Sequence, residues 1–267
     1  MNATSKIRLS SLGLILTVSV PASAEDFVLH VGQPLARAEL LRSGVQRYLR
    51  YKVSDGHRSA IDIWERRITF ERQGAKRLVR ITQLWDEASE PGFTVRQESL
   101  FEQRTMRPIM HVRLRSKGGK TEVHAFEFHG SSVKGVADFP GNIDNSFAVT
   151  SDEGIYNFVA DIEFFRQLPL AKGRTFIATL FDPPHDQPER FSFTVSGSST
   201  VMGPDGVPVD CWLLTTDYNR PDKAITRFWI AKRNQFVLRE ESPQDDGTLL
   251  IKTLLSSESS DGRVRKI

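Results

Sequence analysis

Six histidines, His30, His57, His111, His124, His129 and His185, are the side chains of this 267-residue chain best suited to bind metal or move protons near neutral pH. His124 and His129 stand five apart, which puts them on opposite faces of a strand. His111 and His124 approach each other across the turn at Gly118-Gly119. Two imidazoles without a third ligand do not complete a zinc site. The acidic pairs Asp152-Glu153, Glu240-Glu241 and Asp245-Asp246 fall at caps and turns, where solvated carboxylates are ordinary. A glycosidase needs two carboxylates facing across a cleft. The sequence has no G-x-S-x-G, no H-E-x-x-H and no P-loop. Gly203-Pro204-Asp205-Gly206 is a turn without a following helix to hold phosphate. The single cysteine, Cys211, excludes an internal disulfide and, beside Trp212, reads as a small buried hydrophobe. These residues assign no catalytic group, no metal and no cofactor, and an enzyme is the least supported reading.

The aromatic residues carry more information. Trp64, Phe70, Trp85, Phe126, Phe128, Phe158, Phe165 and Trp229, with Ile162, are spread over strands and one helix. Each alone is ordinary core. Together they are candidates to line an apolar ligand cavity, because half-barrels and barrel mouths are frequent sites for apolar ligands.

The elements that would position them are mostly strands. Val45, Leu49, Tyr51 and Val53 alternate with Gln46, Arg50 and Lys52. Asp62, Trp64, Arg66, Ile68 and Phe70 alternate with Ile61, Ile63, Glu65, Arg67 and Thr69. Further runs at 76–87, 93–103, 108–116, 121–129 and 133–139 are separated by Gly and Pro turns, which predicts an antiparallel meander. Ile155, Phe158, Val159, Ile162, Phe165 and Leu168 instead follow helical spacing. Thr150-Ser151-Asp152-Glu153 stands where a capping box would be, and Pro169 and Gly173 end the segment. Asp161 and Glu163 fall off the apolar stripe and are expected on a solvated face. Strands resume at 174–183, 189–202, 207–218, 224–231, 236–241 and 248–256. Residues 29–43 are open to a short helix or an irregular first strand, and 256–267 are expected to be a disordered tail.

One strand–turn–strand unit is written twice. SLFEQRTMRPIMHV and FWIAKRNQFVLREE superpose Glu102, Thr105 and Pro108 on Ala231, Asn234 and Val237. One copy lies on each side of the helix, so the repeat is expected to be scaffold: two sheet halves wrapping one amphipathic helix at about 155–168. The expected fold is mainly β, a large curled antiparallel sheet left unclosed as a half-barrel, in one domain over 25–255.

Lys6 and Arg8, the short apolar run Leu9–Val20 and Ala22-Ser23-Ala24 form the layout of a signal peptide cleaved after Ala24. The run is too short to cross a membrane. Charge is uneven: residues 37–115 hold 17 Lys and Arg against 10 Asp and Glu, whereas 116–267 hold 17 against 21. That asymmetry favours an anionic partner at one end, or places arginine stems over strand faces. With its first 24 residues removed the chain is near neutral, which gives little support for a nucleic-acid partner.

The second half resembles a known family. A helix runs into Arg166-Gln167-Leu168-Pro169-Leu170-Ala171-Lys172-Gly173. A turn comes next at Asp205-Gly206-Val207-Pro208-Val209, and then Phe228-Trp229-Ile230 leads to Val237-Leu238-Arg239-Glu240. This order is similar to that of the bacterial periplasmic proteins of domain-of-unknown-function family 3108, best from Tyr156 to Leu255. The chain departs from the family at Ala231 and Val237, where Asp and Pro are usual. The resemblance implies a periplasmic half-barrel like the lipoprotein carriers LolA and LolB, with helices plugging an apolar cavity. The expected function is therefore a non-enzymatic, soluble, monomeric periplasmic protein that carries a lipid or acyl chain. The alternative is a cell-envelope interaction module with a filled core. Neither needs nucleic acid or a membrane span.

Overall fold

The computed structural model describes residues 25–259 apart from 89, 185, 186 and 223. The expected signal peptide and residues 260–267 of the expected tail lie outside the described residues. In chain order the first strands are β1 (Glu25–Val28), β2 (Gly44–Ser54), β3 (His57–Gln73), β4 (Lys76–Asp86), β5 (Phe93–Glu102), β6 (Pro108–Lys117), β7 (Lys120–Phe128), β8 (Ser132–Gly135), β9 (Ala148–Thr150) and β10 (Tyr156–Asn157). After the helix α1 (Asp161–Phe165) come β11 (Arg174–Phe181), β12 (Glu189–Met202), β13 (Pro208–Thr216), β14 (Thr226–Ala231), β15 (Val237–Pro243) and β16 (Leu249–Ser259).

All of these strands belong to one sheet. Strands β2 to β7 form one antiparallel meander, β11 to β16 form another, and β16 pairs antiparallel with β2 to join them. β8 and β9 extend the first meander. β1 and β10 each add to β11 in parallel, so the sheet is mixed rather than wholly antiparallel. The strand order ends at β1 and at β9, which leaves the barrel unclosed. Period-two burial is clean where a strand meets the core: Phe93, Val95, Gln97, Ser99 and Phe101 are buried along β5, and their neighbours are not. β16 runs on to Ser259, so residues 256–259 are strand, not tail.

The helix is shorter than its apolar spacing predicts. Tyr156 and Asn157 pair with Leu180 and Phe181 as β10, which removes them from any helix. Asn157 then caps the next turn, its Oδ1 accepting from Val159 N at 3.1 Å. That turn, a 3₁₀ segment over Phe158–Ala160, leads into α1. The expected capping box is a loop: Ser151 Oγ accepts from Glu153 N, while the Glu153 carboxylate accepts from Thr179 and Arg190. Of the apolar stripe, Ile155, Ile162, Phe165 and Leu168 are fully enclosed nonetheless, and Phe158 and Val159 are half-buried. The Phe165 ring lies 4.8 Å from Phe193 and 5.0 Å from Phe228 on the second meander. Glu163 reaches Arg66 on the first. One five-residue helix touching both meanders means the sheet curls around it.

The repeated unit is a repeated structure. β5–β6 and β14–β15 each break register at matched positions, Leu100/Phe101 and Trp229/Ile230. Each turn contains a left-handed residue, Met106 at φ 51° and Gln235 at φ 53°. Thr105 Oγ1 accepts from Arg107 N in one, and Asn234 Oδ1 accepts from Phe236 N in the other. Both hairpins close the same end of the curl. Arg104 O accepts from Leu35 N in the segment after β1, and Gln167 O accepts from Arg37 N. That segment holds a three-residue 3₁₀ turn, Ala38–Leu40, resolving 29–43 in favour of a short helical turn. Gln235 Nε2 faces the end of α1, 2.9 Å from Leu168 O and 3.2 Å from Arg166 O.

Phe165→Ala is expected to lower unfolding free energy by about 3–5 kcal/mol in urea titration, the usual cost of deleting a fully buried ring. Gln235→Ala is expected to cost about 1–3 kcal/mol, because it strips buried carbonyls of their donor. An unchanged urea midpoint in either variant would contradict this packing.

Candidate functional site

A buried polar row runs across the inner face of the sheet. Register places Ser257, Gln46, Arg66, Gln83, Gln97, Arg113 and His124 side by side on β16, β2, β3, β4, β5, β6 and β7. All are buried, from 0% exposure at Arg66 to 7% at His124. Such groups persist inside a fold only when bonded or paired. Arg66 Nε donates to Glu163 Oε1 at 2.9 Å, and its Nη2 donates to Glu163 Oε2 and to Val159 O. Gln83 Nε2 donates to the same Val159 carbonyl at 2.7 Å, and its oxygen accepts from Trp64 Nε1. With its oxygen toward Arg113, the Gln97 amide accepts from Nε at 2.9 Å. Arg113 also donates to Asp182 and Pro183 O on the β11–β12 loop. His124 Nδ1 lies 2.6 Å from Asp144 Oδ2. The row therefore fixes the plug and two loops from below. Glu163 and Asp161, expected on a solvated face, are buried instead, because the sheet meets the polar side of α1 with this row.

Beside it lies a second charged group. Lys252 Nζ stands 2.8 Å from the Glu240 carboxylate, and its ammonium lies 5.1 Å from the Trp64 ring centre. Arg66 also stands over that ring, at 4.3 Å. Burial, only partly opposed by Lys252, pushes the Asp161 carboxyl up to about 6. Its Oδ1 accepts from Ile162 N at 2.7 Å.

A cleft of about 580 Å³ lies away from the underside of the helix. It opens at the end of the second meander opposite the β14–β15 turn, between the end of β11, the start of β12, the end of β13 and the end of β15. Phe158, Leu180, Phe191 and Tyr218 line its apolar part, and Asp182, Glu189, Asp217, Asp245 and Asp246 its polar part. The Phe158 ring lies 5.7 Å from Tyr218, and Phe191 lies 5.4 Å from Tyr218. Tyr218 sits at φ 50°, with Asn219 at φ 58° after it, a costly conformation for an aromatic residue. Asn219 Nδ2 ties this turn to β12 through Glu189 Oε2 and Arg190 O. Burial, then the charges of Glu240 and Asp161, raise the Tyr218 hydroxyl well above the usual phenol range. A smaller space of about 220 Å³ lies at the closed end, beside Phe27, Leu35, Tyr156 and Leu168.

The nine predicted cavity residues are not brought together. Only Phe158 lines the cleft. Trp64, Ile162 and Phe165 are core, with Trp85 packed against them. Phe126 and Phe128 belong to a second cluster with Phe181 and Val133. Phe70 is exposed, and Trp229 lies under the Arg239 guanidinium. Spacing alone did not single out Phe191 and Tyr218 as lining residues; the Asp217-Tyr218-Asn219 turn was the one local signal. Cys211 is fully buried and its thiol is pushed up to about 12 by burial and by Asp210. His111 Nδ1 is 2.8 Å from Ser99 Oγ, and burial, with Arg113 and His124 nearby, lowers its pKa and keeps it neutral. Among the described residues no three His, Cys, Asp or Glu side chains stand together as a metal site. No helix among them is long and apolar enough to cross a membrane.

Residues 50–255 match the family model described as protein of unknown function (DUF3108), and the chain belongs to that family. No curated protein matches it. Among solved structures it is similar to a β-barrel-like protein of domain-of-unknown-function family DUF1849 from Brucella abortus. The two are 12% identical with a TM-score of 0.48, over 85% of this chain and 99% of that one.

Breaking the central pair by Glu163→Ala is expected to cost about 3–5 kcal/mol, because Arg66 is left charged and buried. Replacing both, as Arg66→Met with Glu163→Leu, is expected to cost much less, and a double-mutant cycle in urea measures the difference. Asp161 supplies a pH test. An acid whose folded pKa lies above its unfolded one penalises the fold when ionised. The penalty is absent below about 3.8 and complete above about 6. Asp161→Asn is therefore expected to stabilise by about 1–3 kcal/mol at pH 7.5 and by well under about 1 kcal/mol at pH 4. A gain that is the same at both pH values would contradict the buried placement.

Proposed function

We propose that this chain is a non-enzymatic protein of the periplasm, exported with cleavage after Ala24, that binds an apolar ligand such as a lipid or acyl chain. The observation that carries the reading is the open cleft of about 580 Å³ with its aromatic floor. Its volume falls within the ~300–1,000 Å³ range of small-molecule sites. The floor is preformed, because Phe158 comes directly after the anchored Asn157 cap and Tyr218 is latched to β12. Preorganised walls lower the ordering cost of binding. The space under α1 is filled by Ile162, Phe164 and Phe165, so the ligand sits at the mouth of the half-barrel rather than beneath its plug.

The alternative is an interaction module of the cell envelope. The filled interior supports it, as does β9, which pairs only with β8 among the described residues and leaves an edge for strand addition.

The two readings separate on one measurement. Gentle purification and then native mass spectrometry are expected to show a co-purified small-molecule mass, and the neutral apolar dye Nile red is expected to bind. Tyr218→Ala is expected to weaken the dye roughly tenfold, the worth of one aromatic contact. A clean ligand-free mass together with no dye uptake would leave the interaction module standing alone.

A further inference from the structure

The basic excess of residues 37–115 has a location: the closed end of the half-barrel. We propose that this end is a docking face for an anionic lipid surface, a bilayer whose headgroups carry phosphodiester charge. The proposal does not depend on what the cleft binds.

Five connections meet at the closed end: residues 35–43 after β1, 72–77 between β3 and β4, 103–107 between β5 and β6, 203–207 between β12 and β13, and 232–236 between β14 and β15. Gln103 N donates to Arg77 O, which sets the β3–β4 turn beside the β5–β6 turn. β13 pairs with β14 only from Cys211 on, so the β12–β13 hairpin projects past the β14–β15 turn. Together the five connections hold nine Lys and Arg against two acids, Glu39 and Asp205. Neighbouring acids offset part of this. Arg107 pairs with Glu102, whose charge also acts on Lys76, and Lys232 pairs with Asp210. Arg37 donates to Gln235. Arg42, Arg72, Arg77, Arg104 and Arg233 are exposed, and among the described residues their side chains have no ion pair and no hydrogen bond.

Strand register adds a second observation. Arg72 and Arg77 stand directly opposite each other in the β3–β4 ladder. Like charges in that position destabilise a hairpin. An anion laid against both relieves the repulsion, and no described carboxylate does so.

The free arginines do not converge on a pocket. They stand on separate connections spread over the base, as contact with many phosphates in a plane requires. Apolar side chains are exposed at the same base: Met202 at 61% and Val207 at 55% on the projecting hairpin. At a bilayer surface such side chains enter the headgroup layer while basic residues meet phosphate. These apolar tips favour a lipid surface over an acidic protein. β16 ends at Ser259, paired with Gly44 just after Arg42, and residues 260–267 add three basic residues against one acid. Docked by its base, the half-barrel turns its mouth and cleft away from the bilayer.

Cosedimentation with vesicles tests this, using the chain from Glu25 to Ile267. Binding is expected to vesicles in which phosphatidylglycerol replaces about a third of the phosphatidylcholine, with little to phosphatidylcholine alone. Half-molar salt is expected to weaken it severalfold. Arg72→Ser with Arg77→Ser and Arg104→Ser is expected to weaken it roughly tenfold or more. The thermal midpoint of that variant is not expected to fall, because a like-charge pair has been removed. Arg72→Lys with Arg77→Lys is expected to keep binding, since a lipid plane reads charge rather than the planar fork of arginine. Met202→Ser with Val207→Ser is expected to weaken binding severalfold, and no change there overturns insertion of the hairpin. Lys117→Ser with Lys120→Ser, at the opposite end of β6 and β7, is expected to bind as the native chain does. Equal losses in this variant and in the arginine variant would reduce the effect to net charge and overturn the face. No binding to the anionic vesicles overturns the proposal, and binding of pyrophosphate or polyglutamate in its place reassigns the face to a small anion or an acidic protein.

Discussion

The Arg66–Glu163 pair holds this protein's architecture in register. It stands with no solvent exposure between the sheet and the plug, and it connects the first meander to a helix too short to be stable alone. A buried pair of this kind gives little net stability over a well-packed apolar substitute. It gives position. The guanidinium meets the carboxylate through two nitrogens and reaches Val159 O as well, so α1 seats with one face toward β3. The rest of the polar row extends the same logic. Gln83 meets the same carbonyl, and Arg113 holds the loop after β11 from which Asp182 lines the cleft. The floor of the candidate site is thus set by contacts made deeper in the protein.

The duplicated hairpin divides the half-barrel into two unlike ends. At the end where both copies turn, the segment after β1 and the end of α1 are tied down, with Gln235 facing the carbonyls left by the short helix. Met106 holds the matching place in the other copy and is buried in the core. The architectural repeat is therefore kept while one position is adapted to the helix end. At the opposite end of β11–β15 the cleft opens. The asymmetry between closed base and open mouth arises from where the turns fall.

Much of the fold was legible in the sequence because strands announce themselves through turn residues. The run from Glu189 to Met202, the hairpin around Gly118-Gly119 and the repeat at 102–108 and 231–237 are set by local chemistry that tertiary contacts did not override. The burial pattern was less legible. Gln46, Arg66, Gln83, Gln97 and Arg113 occupy inward strand positions with residue types that ordinarily face water. On β3, Ile61 and Ile63 are exposed while Arg66 is buried, the reverse of what apolarity suggests. Asp161 and Glu163 were misplaced for the same reason, since a carboxylate buried against a partner about a hundred residues away carries no local mark.

By itself the sequence determined a mainly β chain, one apolar plug between two runs of strands, a hairpin used twice and a thiol kept out of chemistry. These are properties of spacing and of turn residues, whose energies are local. Only the tertiary structure decided where the cavity lies. A cleft is made by the relative placement of distant elements, here Phe158, Phe191 and Tyr218 with acids from three strand ends, and no period or motif records that placement. Aromatic composition pointed to a space beneath the helix, and packing filled that space. The opening moved to the mouth because a buried row of arginines and glutamines, residue types that ordinarily face water, holds the plug tightly against the sheet.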